Sequence, residues 1–211
     1  MFLFFIIKIL VDYLKINMIL SLNMIIKGKQ MKAVLDLECT CDEPQFPRNE
    51  MEIIEIGAVI IDDNFNIIDK FDVFVKPTIH TQLSEFCIQL TSITQDQVDN
   101  GLNFEEALTA LQDFFVKYNV ETWYSWGFFD NNKIKHQIRD HNLNEEKFSK
   151  FRTIKYENFS DTFFKKMGFK KKKGVSKALA ICKLEFEGRK HLAIDDAINI
   201  SRIIKHVSNI K

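Results

Sequence analysis

The chain has 211 residues, 46% hydrophobic and 27% charged, with 29 Lys plus Arg set against 29 Asp plus Glu. That length suits one domain with a sizeable core, and the zero net charge excludes a protein-wide pull towards nucleic acid or membrane, so any such function must rest on local features. Cys39, Cys41, Cys87 and Cys182 form no CxxC pair and no zinc-ligand spacing, which reads as reduced thiols in a cytoplasmic protein.

Residues 1–30 are rich in Phe, Ile, Leu and Met, but Lys8, Asp12 and Lys15 interrupt them. No apolar run reaches the roughly 20 residues of a spanning helix. They read as an extension outside the domain, with a weak anchor or an uncleaved signal as the alternative; Met31 opens a single domain over residues 31–211, and no stable membrane partner is expected.

AVLDLE (33–38) has the character of a buried strand. EIIEIGAVIID (52–62) and NIIDKFDVFVKP (66–77) predict a hairpin, turning over Asp62–Asn66 and ending at Pro77. TQLSEFCIQLTSITQDQVDNG carries short helices and turns, one starting at Thr94 and stopped by Gly101. Phe104, Leu108, Leu111 and Phe115 fall at helical spacing within 104–118. ETWYSW predicts a fourth strand and residues 151–156 a fifth. Helices are expected over 129–140, 160–168 (opened by Ser160 or Asp161), 175–184 and 193–208. Paired strands followed by alternating strands and helices specify an α/β fold with a central mixed five-stranded sheet flanked by helices.

Alternation along the first strand puts Val34, Asp36 and Glu38 on one face and Ala33, Leu35 and Leu37 on the other. Carboxylates inside a sheet are costly unless paired or metal-bound. A solvated strand end is the competing reading, and spacing alone leaves both open. Asp130 precedes Ile134 and Ile138 by four and eight residues, which suits an inward face and equally a helix cap. In HLAIDDAI (191–198) an advance of about 100° per residue groups Ala193, Ala197, Ile200, Ile203, Ile204 and Val207. Asp196 falls within roughly 40° of that stripe, whereas Asp195 lies across the helix with Arg202 and His206, a solvated or capping position.

Asp36, Glu38, Asp130 and Asp196 together make an all-oxygen set that suits Mg²⁺ or Mn²⁺ rather than zinc. Two such ions, about 3.5–4 Å apart, serve phosphoryl transfer. His191 stands just ahead of Asp196, and an imidazole is a side chain suited to take a proton from water at neutral pH. A lone histidine is more often structural; the surrounding carboxylates select this one. The lysine-rich run KKMGFKKKKGVSK (165–177) reads either as a phosphate-contacting segment or as a solvated loop. Trp126 or Phe129 suits base stacking and equally the core.

DLECTC, SWGFFDNN and HLAIDDAINISRI, in this order, resemble the three exonuclease motifs of the DEDDh 3′→5′ exonucleases. HTQLSEFCIQLTSITQDQV is similar to a segment of the branch containing the enhanced-RNAi and histone-mRNA 3′ exonucleases and bacterial sporulation-inhibitor-like proteins. The resemblance covers residues 32–207. It implies a ribonuclease H-like (DnaQ-like exonuclease) fold, two Mg²⁺ ions for which Mn²⁺ substitutes, and release of 5′-mononucleotides from RNA with a free 3′ end, single-stranded or overhanging. It further implies Asp36, Glu38, Asp130 and Asp196 as metal ligands, Glu38 also as a catalytic group, His191 as general base, and Cys39, Thr40, Leu83, Asn131 and His191 around the terminal nucleotide. An idle binding or regulatory module on the same fold is the alternative. DNA-directed 3′→5′ cleavage is another, because the metal chemistry does not read the 2′-OH. Two departures stand out: ECTC replaces the usual EATC at Cys39, and LTSIT replaces LTGIT, putting Ser92 where a glycine turn is expected.

Overall fold

The computed structural model describes residues 31–42 and 46–209, so the reading of residues 1–30 lies outside the described residues. Among these residues the sheet has five strands: β1 Met31–Cys39, β2 Ile53–Ile61, β3 Ile67–Phe74, β4 Val120–Ser125 and β5 Lys155–Asn158. Their order is β3-β2-β1-β4-β5. The pairs β3–β2 and β2–β1 are antiparallel, whereas β1–β4 and β4–β5 are parallel. This is the mixed sheet the sequence predicts. Every residue of β2 is buried, as expected of an inner strand covered on both faces, while edge strand β3 alternates between exposed and partly buried.

The helices are α1 Glu85–Thr91, α2 Gln95–Asp99, α3 Phe104–Lys117, α4 Phe129–Asp140, α5 Lys150–Thr153, α6 Phe159–Lys166, α7 Val175–Ile181 and α8 Ala193–Ser208. β1 divides two cores. Ala33, Leu35 and Leu37 pack with Phe104, Leu108, Leu111 and Phe115 of α3 and with Ile134 and Ile138 of α4. Val34 joins Val59, Ile61 and the Ile200, Ile203, Ile204 and Val207 stripe of α8. Each such Leu, Ile or Phe contributes about 1.5–3 kcal/mol by burial. The period-two pattern therefore delivers Asp36 and Glu38 to the α8 side.

Several boundaries differ from the sequence reading. Residues 150–153 form a helical turn, and the fifth strand starts at Lys155 rather than 151. α6 is opened by Asn158, the last strand residue, whose Oδ1 accepts the Ser160 N–H at 3.1 Å, not by Ser160 or Asp161. α7 stops at Ile181 because Lys183 turns left-handed, φ 57°. Thr94 begins α2 with a reciprocal capping box to Gln97. Ser92, after α1, adopts φ 64° and ψ 13°, a left-handed geometry that costs a non-glycine residue about 1–2 kcal/mol.

Candidate metal centre

The C-terminal end of β1 and the first turn of α8 meet. Side-chain oxygens of Asp36, Glu38 and Asp196 lie within 4.8 Å of one another. The backbone explains the approach. Gly57 pairs with Asp36 across the sheet, and a Cβ there would fall 2.2 Å from the Ile194 nitrogen and 2.3 Å from the Ala193 carbonyl carbon. Absence of a side chain lets α8 rest directly on β2.

Two residues earlier, Glu55 is fully buried and its Oε2 accepts the Ala193 N–H at 3.0 Å. Leu192, at the cap position, offers no side-chain acceptor, so Glu55 caps α8 from the sheet. Sequence reading missed this residue. Its signal was a lone glutamate inside the apolar run IIEIGAVII.

Asp130 is buried on α4 but stands outside the three-carboxylate cluster. Ser125, its own backbone N–H and that of Leu37 lie near its carboxyl and favour the ionised form. Its charge still reaches Asp36, where only burial acts more strongly.

Burial, then repulsion from Asp130, Asp196 and Glu38, pushes the Asp36 carboxyl well above the ordinary range. Burial, with Asp196 and Glu55 next, raises Glu38 to about 9. Burial raises Asp130 to about 7 against the Ser125 and backbone groups that oppose it. Asp196 is also raised by burial, opposed by the His191 N–H. Burial raises Glu55 to about 8 despite the Ala193 N–H, and the nearby Asp72 carboxylate adds to the rise. Crowded, uncompensated carboxylates with hard oxygen donors fit a divalent cation, which lowers the cost of keeping them ionised.

The loop before α8 turns at Gly188, φ 81°, where a Cβ would meet the Asp195 carboxylate at 2.5 Å. Asp195 Oδ2 accepts the Arg189 N–H at 2.7 Å, and Asp196 Oδ2 accepts the His191 N–H at 2.9 Å. The two aspartates thus clamp opposite ends of one short loop. Asp195 is partly buried and bonds the loop rather than an end of α8, which corrects both the solvent-facing and the capping readings. His191 sits left-handed, φ 61°, with an exposed side chain.

A cleft of about 590 Å³ is lined by Asp36, Glu38, Asp196 and His191, with Trp126 and a wall of Lys173, Lys177 and Lys190. Of the five residues expected around the terminal nucleotide, His191 lines this cleft. Cys39, Thr40, Leu83 and Asn131 are buried and are not among its lining residues. The Thr40 hydroxyl is engaged by the Glu52 N–H at 2.8 Å, and Cys39 packs in the α3 core. A second cleft, about 680 Å³, contains Phe128, Phe129, Arg48, Lys133 and His136. Lys133 is 5% exposed there, and sequence reading did not single it out.

The family model described as exonuclease matches residues 33–204. The human 3′-5′ exoribonuclease 1 is 34% identical over 179 residues, covering 81% of this chain and 50% of that protein. This chain therefore spans about half the length of the curated relative it matches. The solved nuclease domain of 3′hExo, a DEDDh family member bound to rAMP, is 30% identical, covers 86% of this chain and 92% of that one, and superposes with a TM-score of 0.74. A solved 3′-exonuclease with 3′-end-specific recognition of a histone mRNA stem-loop is 25% identical, covers 96% and 73% of the two chains, and has a TM-score of 0.76.

Proposed function

The chain belongs to the exonuclease family, and on that premise we propose that it is a metal-dependent 3′→5′ exoribonuclease that releases 5′-mononucleotides from RNA with a free 3′ end. The observation that carries this reading is the convergence of Asp36, Glu38 and Asp196 within 4.8 Å, beside a histidine anchored to Asp196 by its own backbone. RNA is favoured over DNA because the human relative at 34% identity is named an exoribonuclease and a solved relative at 25% identity recognises the 3′ end of an mRNA stem-loop.

Asp36, Glu38 and Asp196, with Asp130 behind them, are the residues that would hold two Mg²⁺ ions, with Mn²⁺ substituting. Bound there, the ions supply a more acidic water and charge stabilisation of the leaving oxygen. The chain's own groups do the rest. The His191 imidazole, at the exposed rim of the cleft, takes the proton from the attacking water. Glu38 would act on the leaving-group side, helping to stabilise the 3′ oxygen through the ion it would hold. Asp196 keeps the histidine loop in place through the 2.9 Å bond. Asn131, next to Asp130 on α4, together with Cys39, Thr40 and Leu83, supports the terminal-nucleotide side from within the core.

No helix among the described residues is long and apolar enough to cross a membrane. The four cysteines are free, which supports a reducing cytoplasm as the place of action. The test uses a 5′-labelled RNA strand with Mg²⁺ or Mn²⁺. A shortening ladder from the wild type, lost in Asp36→Asn, is expected. No ladder, or an equal ladder from the variant, refutes the proposal. An idle binding module predicts retained RNA binding without mononucleotide release.

A further inference from the structure

We infer that the lysine-rich connection between α6 and α7 is a track for the nucleotides lying 5′ of the one being released. The inference rests on the exonuclease reading above. α6 ends at Lys166, and Gly168, at φ 75°, turns the chain so that the Phe169 N–H reaches the Phe164 carbonyl at 2.9 Å. That turn leaves Phe169 49% exposed, an unusual setting for a large aromatic side chain. Its ring meets Phe164 edge-on at 6.2 Å, and Phe164 in turn meets Trp126 at 6.0 Å.

Trp126 lines the catalytic cleft, and its indole N–H donates to the Lys173 carbonyl at 2.9 Å. The far end of the lysine run is therefore fastened to the cleft wall. The aromatic chain Trp126, Phe164 and Phe169 leads from that wall out to the surface.

Lys170, Lys171 and Lys173 are exposed, and no ion pair engages them among the described residues, whereas Lys172 pairs with Asp161. Lys173 and Lys177 reach the cleft itself. The carboxylates lining the cleft, Asp36, Glu38 and Asp196, offer no attraction of their own to a polyanionic strand, so affinity for nucleotides beyond the terminal one must come from cations outside them. In a chain whose charges cancel overall, free lysines flanking an exposed aromatic ring supply it: the ring stacks a base and the lysines meet phosphates. An anionic membrane surface is the other polyanion such a patch fits. Continuity with the cleft favours the strand.

The test compares wild type, Lys170→Ser/Lys171→Ser and Phe169→Ser on an RNA dinucleotide and on a strand of about 20 nucleotides across a salt series. On the long strand the lysine pair should raise KM about tenfold and flatten the slope of log KM against log salt by about 1.4, about 0.7 per lost contact. Phe169→Ser should raise that KM about fivefold or more. The dinucleotide should be cleaved as by wild type. Binding of the long strand in EDTA, which needs no turnover, should weaken in parallel. Unchanged long-strand KM and binding overturn the track, as does equal loss on the dinucleotide. Wild-type binding to anionic vesicles that the lysine pair abolishes, with strand binding intact, also overturns it. A wild type that binds the strand but cleaves neither substrate refutes the exonuclease reading, while the EDTA binding arm still decides the track.

Discussion

Replacing Glu55 with alanine removes the acceptor that meets the Ala193 N–H at 3.0 Å and leaves α8 without a side-chain cap. Glu55 is fully buried, so water cannot take its place. A buried donor left unmet costs about 1–3 kcal/mol, and the one lost methylene adds about 0.8 kcal/mol. The sum is about 3 kcal/mol, which for a domain of this size lowers Tm by roughly 6–12 °C. Glutamine keeps the side-chain length and an oxygen that still accepts the Ala193 N–H. Glu55→Gln should therefore cost under about 1 kcal/mol. Activity should follow, because Asp196 and the His191 loop both ride on the turn that Glu55 holds. The alanine variant should lose about tenfold or more in kcat, and glutamine should restore most of it. Urea unfolding and mononucleotide release measure the two effects, and hydrogen exchange at Ala193 localises them. Equal stability of the alanine and glutamine variants, or unchanged exchange at Ala193 in Glu55→Ala, would refute the capping role.

Gly57→Ala places a Cβ 2.2 Å from the Ile194 nitrogen; displacing α8 should cost about 1–3 kcal/mol in denaturant unfolding and depress turnover more than it alters helix content by circular dichroism. Asp196→Asn should reduce mononucleotide release about a hundredfold or more. Asp195→Asn keeps an oxygen for the Arg189 N–H, so it should stay within about threefold of wild type; equal losses in the two would show that the clamp has been misassigned. The metal-free protein should lose stability as pH rises. Glu38, Glu55 and Asp130 titrate at about 9, 8 and 7 in the fold. All three lie above their unfolded values, so the folded chain binds protons more tightly and its advantage disappears between about pH 4 and 9. Melting in EDTA should give a higher Tm at pH 5 than at pH 8, with Mg²⁺ raising the value at pH 8. A flat profile would contradict it.

Asp36 and Glu38 were legible as a pair because strand period fixes the face of every second residue, and β1 obeys it. Asp196 was separable from Asp195 because the apolar stripe of α8 fixes rotation about the helix axis. Motif order along the chain then identified the family that residues 33–204 match. All of this is local information, carried by spacing and residue type. The cap from Glu55 to Ala193 joins groups 138 positions apart, and no periodicity encodes such a distance. The same holds for the Gly57 approach to α8, for the Asp130 carboxyl set near Ser125 and the Leu37 N–H, and for Trp126 fastened to Lys173. The fifth strand was misplaced because residues 150–153 have no pattern strong enough to separate a helical turn from a strand without the neighbour β4 to pair with. Sequence determined which residues are candidates for the chemistry and which way each element faces. Tertiary structure decided how closely those elements meet, because close approach depends on what both surfaces lack as much as on what either one carries.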